Sequence, residues 1–284
     1  MIKRSLVIFA ILFALFNIAA TYTQPDTSYA QSDFQRNVIK ADQYIYSHHD
    51  YNPVILGSSL AYRIPTDSLP GFYNLALSGM SIYDGGAVLL SCKTIPKIVF
   101  IEINIILRPK SESFSDEFES PVYSFIKRTF PALRAENQPV ILIKKSINQL
   151  KSKKNTIGSR SKKATPRNIY MPDRLFKPLL AIQVKEYSNR DTALTKQSII
   201  LLKELVQKIE AKGSKVILFE MPVNPIIQQS PKATLIRAMV AKNFPYHQFI
   251  AAPPTPFKTR DGLHLAQKEA FDYALYLRSK IQAN

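Results

Sequence analysis

The sequence predicts an α/β fold, a three-layer sandwich around a mostly parallel five-stranded sheet, preceded by one apolar N-terminal helix or signal. Three observations predict it. Short runs rich in β-branched residues recur at 53–57, 97–104 and 215–221, apolar on both faces as strands of a covered parallel sheet must be. Stripes of helical period separate them, the clearest being Leu201, Leu202, Leu205, Val206 and Ile209. Strands alternating with helices are the signature of a parallel sheet with helical crossovers.

The chain opens with Met1-Ile2-Lys3-Arg4, and Leu6 to Ala20 is apolar apart from Asn17. Residues 1–22 therefore read as a membrane anchor or a secretory signal. Ile18-Ala19-Ala20 is not a small-x-small cleavage site, which favours the anchor, and Thr21 and Tyr22 extend the run toward the roughly 20 residues a span needs. In either case Lys3 and Arg4 stay cytoplasmic and the remainder is exported to the cell envelope or periplasm. Residues 23–50 read as a polar stalk followed by a short packing helix, 34–47.

The α/β domain is expected over 51–284. Its first two strands are read at 53–57 and 72–76, then a helix at 83–94 and a third strand at 97–104. A helix over 198–212, capped by Gly213, leads to a fourth strand at 215–221 that Pro222 closes. A helix at 232–242, a short strand at 248–251 and a final helix follow, the last turning Ala270, Phe271, Ala274, Leu277 and Ile281 inward. Residues 108–196 are read as a basic insertion. Within it, 144–167 carries nine Lys or Arg and no acid.

The whole chain has 38 Lys and Arg against 21 Asp and Glu, a net charge of +17. Such a balance suits an anionic partner, and export directs the choice away from nucleic acid toward a membrane surface or an acidic polymer. Lys153, Lys154, Lys162 and Lys163 are the expected substrate-binding cations; a solvated surface loop is the competing reading. Cys92 is the only cysteine, so neither an internal disulfide nor a cysteine-based zinc site is available, and it reads as a small core residue on a helix. His48-His49 lies in a turn, and no metal cluster or Gly-rich phosphate loop is read, so no metal or other cofactor is expected.

Two motifs carry chemistry. Val54-Ile55-Leu56-Gly57-Ser58-Ser59-Leu60 reads as a buried strand ending in a glycine turn that delivers a serine to a helix start. A serine there also serves as a plain helix cap. Asp261-Gly262-Leu263-His264 sets an acid one turn from a histidine, close enough to fix its tautomer. Ser59, His264 and Asp261 are thus a candidate nucleophile, base and orienting acid. Between them, Gly79 follows the second strand and Asn104 closes the third. With the Ser59 backbone N–H, they are candidate oxyanion donors, against ordinary turn roles for both.

Taken in order, these four blocks resemble the SGNH (GDSL-type) hydrolase superfamily over most of 52–284. Ser59 matches the family's serine, Gly79 its glycine, Asn104 its asparagine and His264 its histidine, with Asp261 as carboxylate partner. Three positions, Ser58, Glu102 and Ile105, depart from the family pattern. Ser58 stands where an aspartate precedes the nucleophile, and Glu102-Ile103-Asn104-Ile105 replaces Gly-x-Asn-Asp. The departures are similar to those of envelope-anchored D-alanine transfer and O-acetyltransferase-like members. The resemblance implies an SGNH/flavodoxin-like fold and a serine esterase or acyltransferase. Its substrate would be ester-linked acyl groups on an envelope or exported glycan, with a membrane-bound O-acyltransferase as a partner. The alternative is a catalytically inactive protein of the same fold that binds acidic glycan or assembles with such an acyltransferase.

Overall fold

The computed structural model describes residues 2–22, 28, 30–46, 51–145, 147 and 171–282. In chain order its elements are α1 (Ile2–Thr21), α2 (Asp33–Tyr46), β1 (Val54–Leu56), β2 (Tyr73–Asn74), α3 (Ile82–Ser91), β3 (Ile98–Glu102), α4 (Glu112–Glu119), α5 (Pro121–Thr129) and α6 (139–145). They continue as α7 (Asp173–Ser188), α8 (Thr192–Ala211), β4 (Lys215–Phe219), α9 (Pro225–Gln228), α10 (Pro231–Asn243), β5 (Gln248–Ile250) and α11 (Gln267–Gln282). The chain divides into two compact units, Met1–His48 with Glu112–Lys163 and His49–Ser111 with Ala164–Asn284. The sequence reading had kept 108–196 as one insertion within 51–284.

The second unit holds the sheet. Its five strands run in the order β2-β1-β3-β4-β5 and all pair in parallel. The α/β class and the parallel sheet are as the sequence predicts, with strand ends trimmed by at most two residues. Ile55, Phe100, Ile217 and Phe219 from the strands join Ile227, Tyr273, Ala274 and Leu277 in one buried cluster. Two helical stripes differ from expectation. Phe271 and Leu201 are exposed, whereas Tyr273 and Ile199 are buried. Ala270, Tyr273, Ala274 and Leu277 follow the three-four spacing of a buried face, and Phe271 falls about 100° off it. Cys92 is half-buried and ends α3 instead of lying within it.

The first unit is helical. A buried ion pair ties α2 to α5: Lys127 Nζ donates to both Asp42 carboxylate oxygens, at 2.9 and 3.1 Å, and to Glu117 Oε1 at 2.6 Å. The Ala135 N–H also donates to Asp42, and Arg134 stacks its guanidinium on the Tyr46 ring at 4.5 Å. Glu136 stands beside this network with Oε2 buried and without a hydrogen-bond partner among the described residues. Burial first, then the Asp42 charge, pushes its carboxyl up to about 7.

A carboxyl raised in the fold is protonated where the unfolded chain is already ionised, so its cost to folding grows as pH rises through that interval. Asp42, raised by burial, has the same sign; Lys127, raised overall by its acid partners against burial, loses its contribution only as pH rises past the ordinary lysine range. Lys40, which burial lowers to about 7, has the opposite sign but acts only above that value. Chemical denaturation of the full chain in detergent is therefore expected to give higher stability at about pH 5 than at about pH 8. Glu136→Gln should reduce that difference. An unchanged difference in the variant removes Glu136 as its source.

Candidate active site

β1 ends at Leu56, and the chain turns through Gly57 so closely that a Cβ there would meet Ala61 Cβ at 2.5 Å and Glu102 Oε2 at 2.8 Å. Only glycine allows that approach. Ser58 points inward and is fully buried; Ser59 is half-buried. The sequence reading expected a helix to begin here. Instead a single 3-10 turn, Ala61–Arg63, follows, and Ile64 is extended at ψ 117°. Pro65 explains the stop, because the residue before a proline is driven out of the helical region. No long helix therefore aims its dipole at Ser59, and the turn is held by side chains.

The largest of these holds is Glu102, the last residue of β3 and fully buried. Its Oε2 accepts from the Ser58 N–H at 2.8 Å and the Ala61 N–H at 3.2 Å. The Ser58 hydroxyl donates to the same carboxylate, at 2.9 Å from Oε1. Burial pushes the Glu102 carboxyl up, and the Ser58 and Ala61 donors pull against it. From the other side Asn74, buried on β2, donates its amide to the Ala61 and Ile64 carbonyls at 2.8 and 3.0 Å and accepts from the Ala76 N–H.

The histidine loop closes on itself. Thr259 and Leu265 form an antiparallel bridge, and the Arg260 N–H donates to the His264 carbonyl at 2.7 Å. Asp261 Oδ1 accepts from the Leu263 and His264 N–H groups at 3.0 and 2.8 Å, leaving Oδ2 for the His264 ring at Nδ1, 2.6 Å away. Burial alone would raise the Asp261 carboxyl, but the His264 ring and these backbone donors outweigh it and hold it at about 2. The opposite ring nitrogen, Nε2, lies 2.9 Å from Ser59 Oγ. Hydroxyl, imidazole and carboxylate thus form one unbroken hydrogen-bonded relay at the carboxyl end of the sheet.

The remaining sequence-predicted residues have separate placements. Gly79 is exposed, with φ 73°, in the turn that the Met80 N–H closes onto the Leu77 carbonyl at 3.2 Å. The Leu77 N–H in turn donates to the Gly57 carbonyl at 3.1 Å, which registers this turn against the serine turn. Among the described residues the N–H groups of Ser59 and Gly79 have no acceptor. Asn104 Nδ2 donates to the Met221 carbonyl at 2.9 Å, and its Oδ1 accepts from the Met221 N–H at 2.7 Å. That commits one of its two amide hydrogens to the chain beyond β4. Lys153, Lys154, Lys162 and Lys163 lie outside the described residues, as do His48 and His49.

No family model and no curated protein matches this chain. Sequence reasoning missed Glu102 as the partner of Ser58, and Asn74 altogether. A buried acid ending an apolar strand was a signal within reach, since such a group needs donors nearby.

Removing that acid should be costly. Glu102→Ala leaves two N–H groups and one hydroxyl in a dry site without an acceptor, a loss of about 3 kcal/mol or more in chemical denaturation. Glu102→Gln preserves shape and one acceptor and should cost distinctly less. A loss below roughly 1 kcal/mol for the alanine variant would show that the turn does not depend on this carboxylate.

Proposed function

We propose that this chain is a membrane-tethered serine acyl hydrolase or O-acyltransferase of the SGNH type, acting outside the membrane on ester-linked acyl groups of an exported glycan. The observation that carries the reading is the Ser59–His264–Asp261 relay. On this reading His264 Nε2 takes the Ser59 proton as Oγ attacks the ester carbonyl, and Asp261 supports the imidazolium that forms. The free N–H groups of Ser59 and Gly79, with the second Asn104 amide hydrogen, would hold the oxyanion. The alcohol leaves with the proton from His264. Water or a sugar hydroxyl then attacks the acyl-Ser59 ester. The reading takes the five strands as the middle layer of a three-layer sandwich.

Two further features support the setting. α1 is 20 residues long with mean hydropathy 2.0, enough by length and composition to cross a membrane. The net charge of +17 suits an acidic polymer or a membrane-bound partner. The non-catalytic reading rests on the altered first and third blocks and on the basic segment 144–167, nearly all of it outside the described residues.

A fluorophosphonate probe tests the chemistry, because it labels only an activated serine. Wild type should label and Ser59→Ala should not; equal labelling of the two sinks the proposal. Asp261→Asn should slow labelling on the order of 1000- to 10,000-fold, since the amide favours the wrong tautomer. Asp261, held at about 2, stays ionised above that value, so its charge contributes equally across the whole neutral range. Any loss of wild-type labelling as pH falls from neutral toward about pH 5 should therefore come from another group.

A further inference from the structure

An apolar ridge runs over the first unit that the acyl chemistry does not use. Val122 and Phe125 on α5, Phe130 and Leu133 just after it, and Val140 and Ile143 at α6 are all exposed. The spacings 122/125 and 140/143 put each pair on one side of its helix. The surface is fixed, because the Lys127 ion pairs with Asp42 and Glu117 hold α5 from within.

What the ridge faces follows from α1. The Phe13 and Phe130 rings pack at 5.5 Å between centroids. Asn17, the one polar side chain between Leu6 and Ala20, accepts from the Ala132 N–H at 3.1 Å and donates its own amide to the Phe13 carbonyl at 2.8 Å. At 1.5 Å per residue, Asn17 and Phe13 lie about 6 and 12 Å along the helix from Thr21. A turn docked there, at the depth a membrane-crossing α1 would give it, lies within the leaflet on the Thr21 side and not in the water beyond it.

Backbone at that depth must satisfy itself, since lipid offers no hydrogen bonds. Here it does. The Phe130 N–H donates to Ile126 at 2.8 Å, Leu133 to Phe130 at 2.9 Å and Arg134 to Pro131 at 3.1 Å, while Pro131 has no N–H and Ala132 is served by Asn17. Arg128 and Lys144, both exposed, border the ridge and suit anionic headgroups.

We propose that α5, the Pro131–Leu133 turn and α6 form a shelf embedded in the leaflet at the Thr21 end of α1, with bilayer lipid as its occupant. The inference rests on the reading of α1 as a membrane anchor and is independent of the chemistry at Ser59.

The test uses the full chain carrying Cys92→Ser and one new cysteine bearing an environment-sensitive dye. The protein is reconstituted in vesicles of phosphatidylethanolamine and phosphatidylglycerol, with and without acyl-chain bromination. Phe125→Cys and Leu133→Cys should give blue-shifted emission quenched by the brominated lipid, as should Leu12→Cys in α1. Tyr246→Cys, at a residue 98% exposed, should give neither. If position 12 is quenched while 125 and 133 behave like 246, the shelf is overturned and the anchor stands. That is also the outcome expected of a surface reserved for a protein partner. If position 12 is unquenched, the anchor reading falls and the shelf with it. Fluorophosphonate labelling of the same samples reports the Ser59 chemistry separately.

Discussion

Glu102 ends the central strand β3 with no contact to solvent, and a carboxyl so placed must find donors or give up its charge. It finds them in the serine turn: two backbone N–H groups and the Ser58 hydroxyl. The exchange fixes both sides. The carboxylate is satisfied, and the turn carrying Ser59 is bound to the strand beside β1. Because β1 lies between β2 and β3, its turn can be held from both neighbours, and Asn74 on β2 supplies the second hold through the carbonyls of Ala61 and Ile64. Side-chain bonds thus supply the stiffness that a helix start would otherwise give.

The histidine reaches the same place by a parallel route one strand further over. Past the end of β3, the Asn104 side chain continues the pairing with β4 by bonding both backbone groups of Met221. The chain beyond Met221 then meets the histidine loop, where the Asn224 N–H donates to the Gly262 carbonyl at 2.8 Å. Glu102 and Asn104, two residues apart, therefore register the serine turn and the histidine loop against one strand. A 2.9 Å contact between groups 205 residues apart in sequence is maintained by short local bonds.

Much of this was legible in the sequence. The β-branched runs marked β1, β3 and β4, because a covered parallel strand leaves little room for polar residues, whereas β2 and β5 carry no such run. The Asp261–His264 pair was legible because it is local: one turn sets the geometry. The Ser58–Glu102 contact was not, since a match between a turn and a strand 44 residues away exists only once the register Leu56↔Ile101 is known. Phe271 and Leu201 misled for a simpler reason: bulk at one position does not outweigh a stripe that closes without it. Asn17 looked like an interruption of an apolar run and is instead the acceptor for Ala132.

The proposed family membership raises a sharper question about two of the three departures. Taken separately, Ser58 in place of an aspartate and Glu102 in place of a glycine count as two losses. They are the two sides of one contact. An acid moved from the turn to the strand meets the same turn's N–H groups, and the longer glutamate chain bridges the distance while the smaller serine makes room and adds a donor. On that reading the turn's carboxylate has been relocated to the strand, and the aspartate that Ile105 replaces is the one carboxylate lost. The relocation has a cost, because the strand side chain is fully buried and its carboxyl is pushed upward. The turn then depends on the sheet for its order: exchanging Glu102 leaves three buried donors without an acceptor, and exchanging Ser58 takes one of three donors from a buried acid.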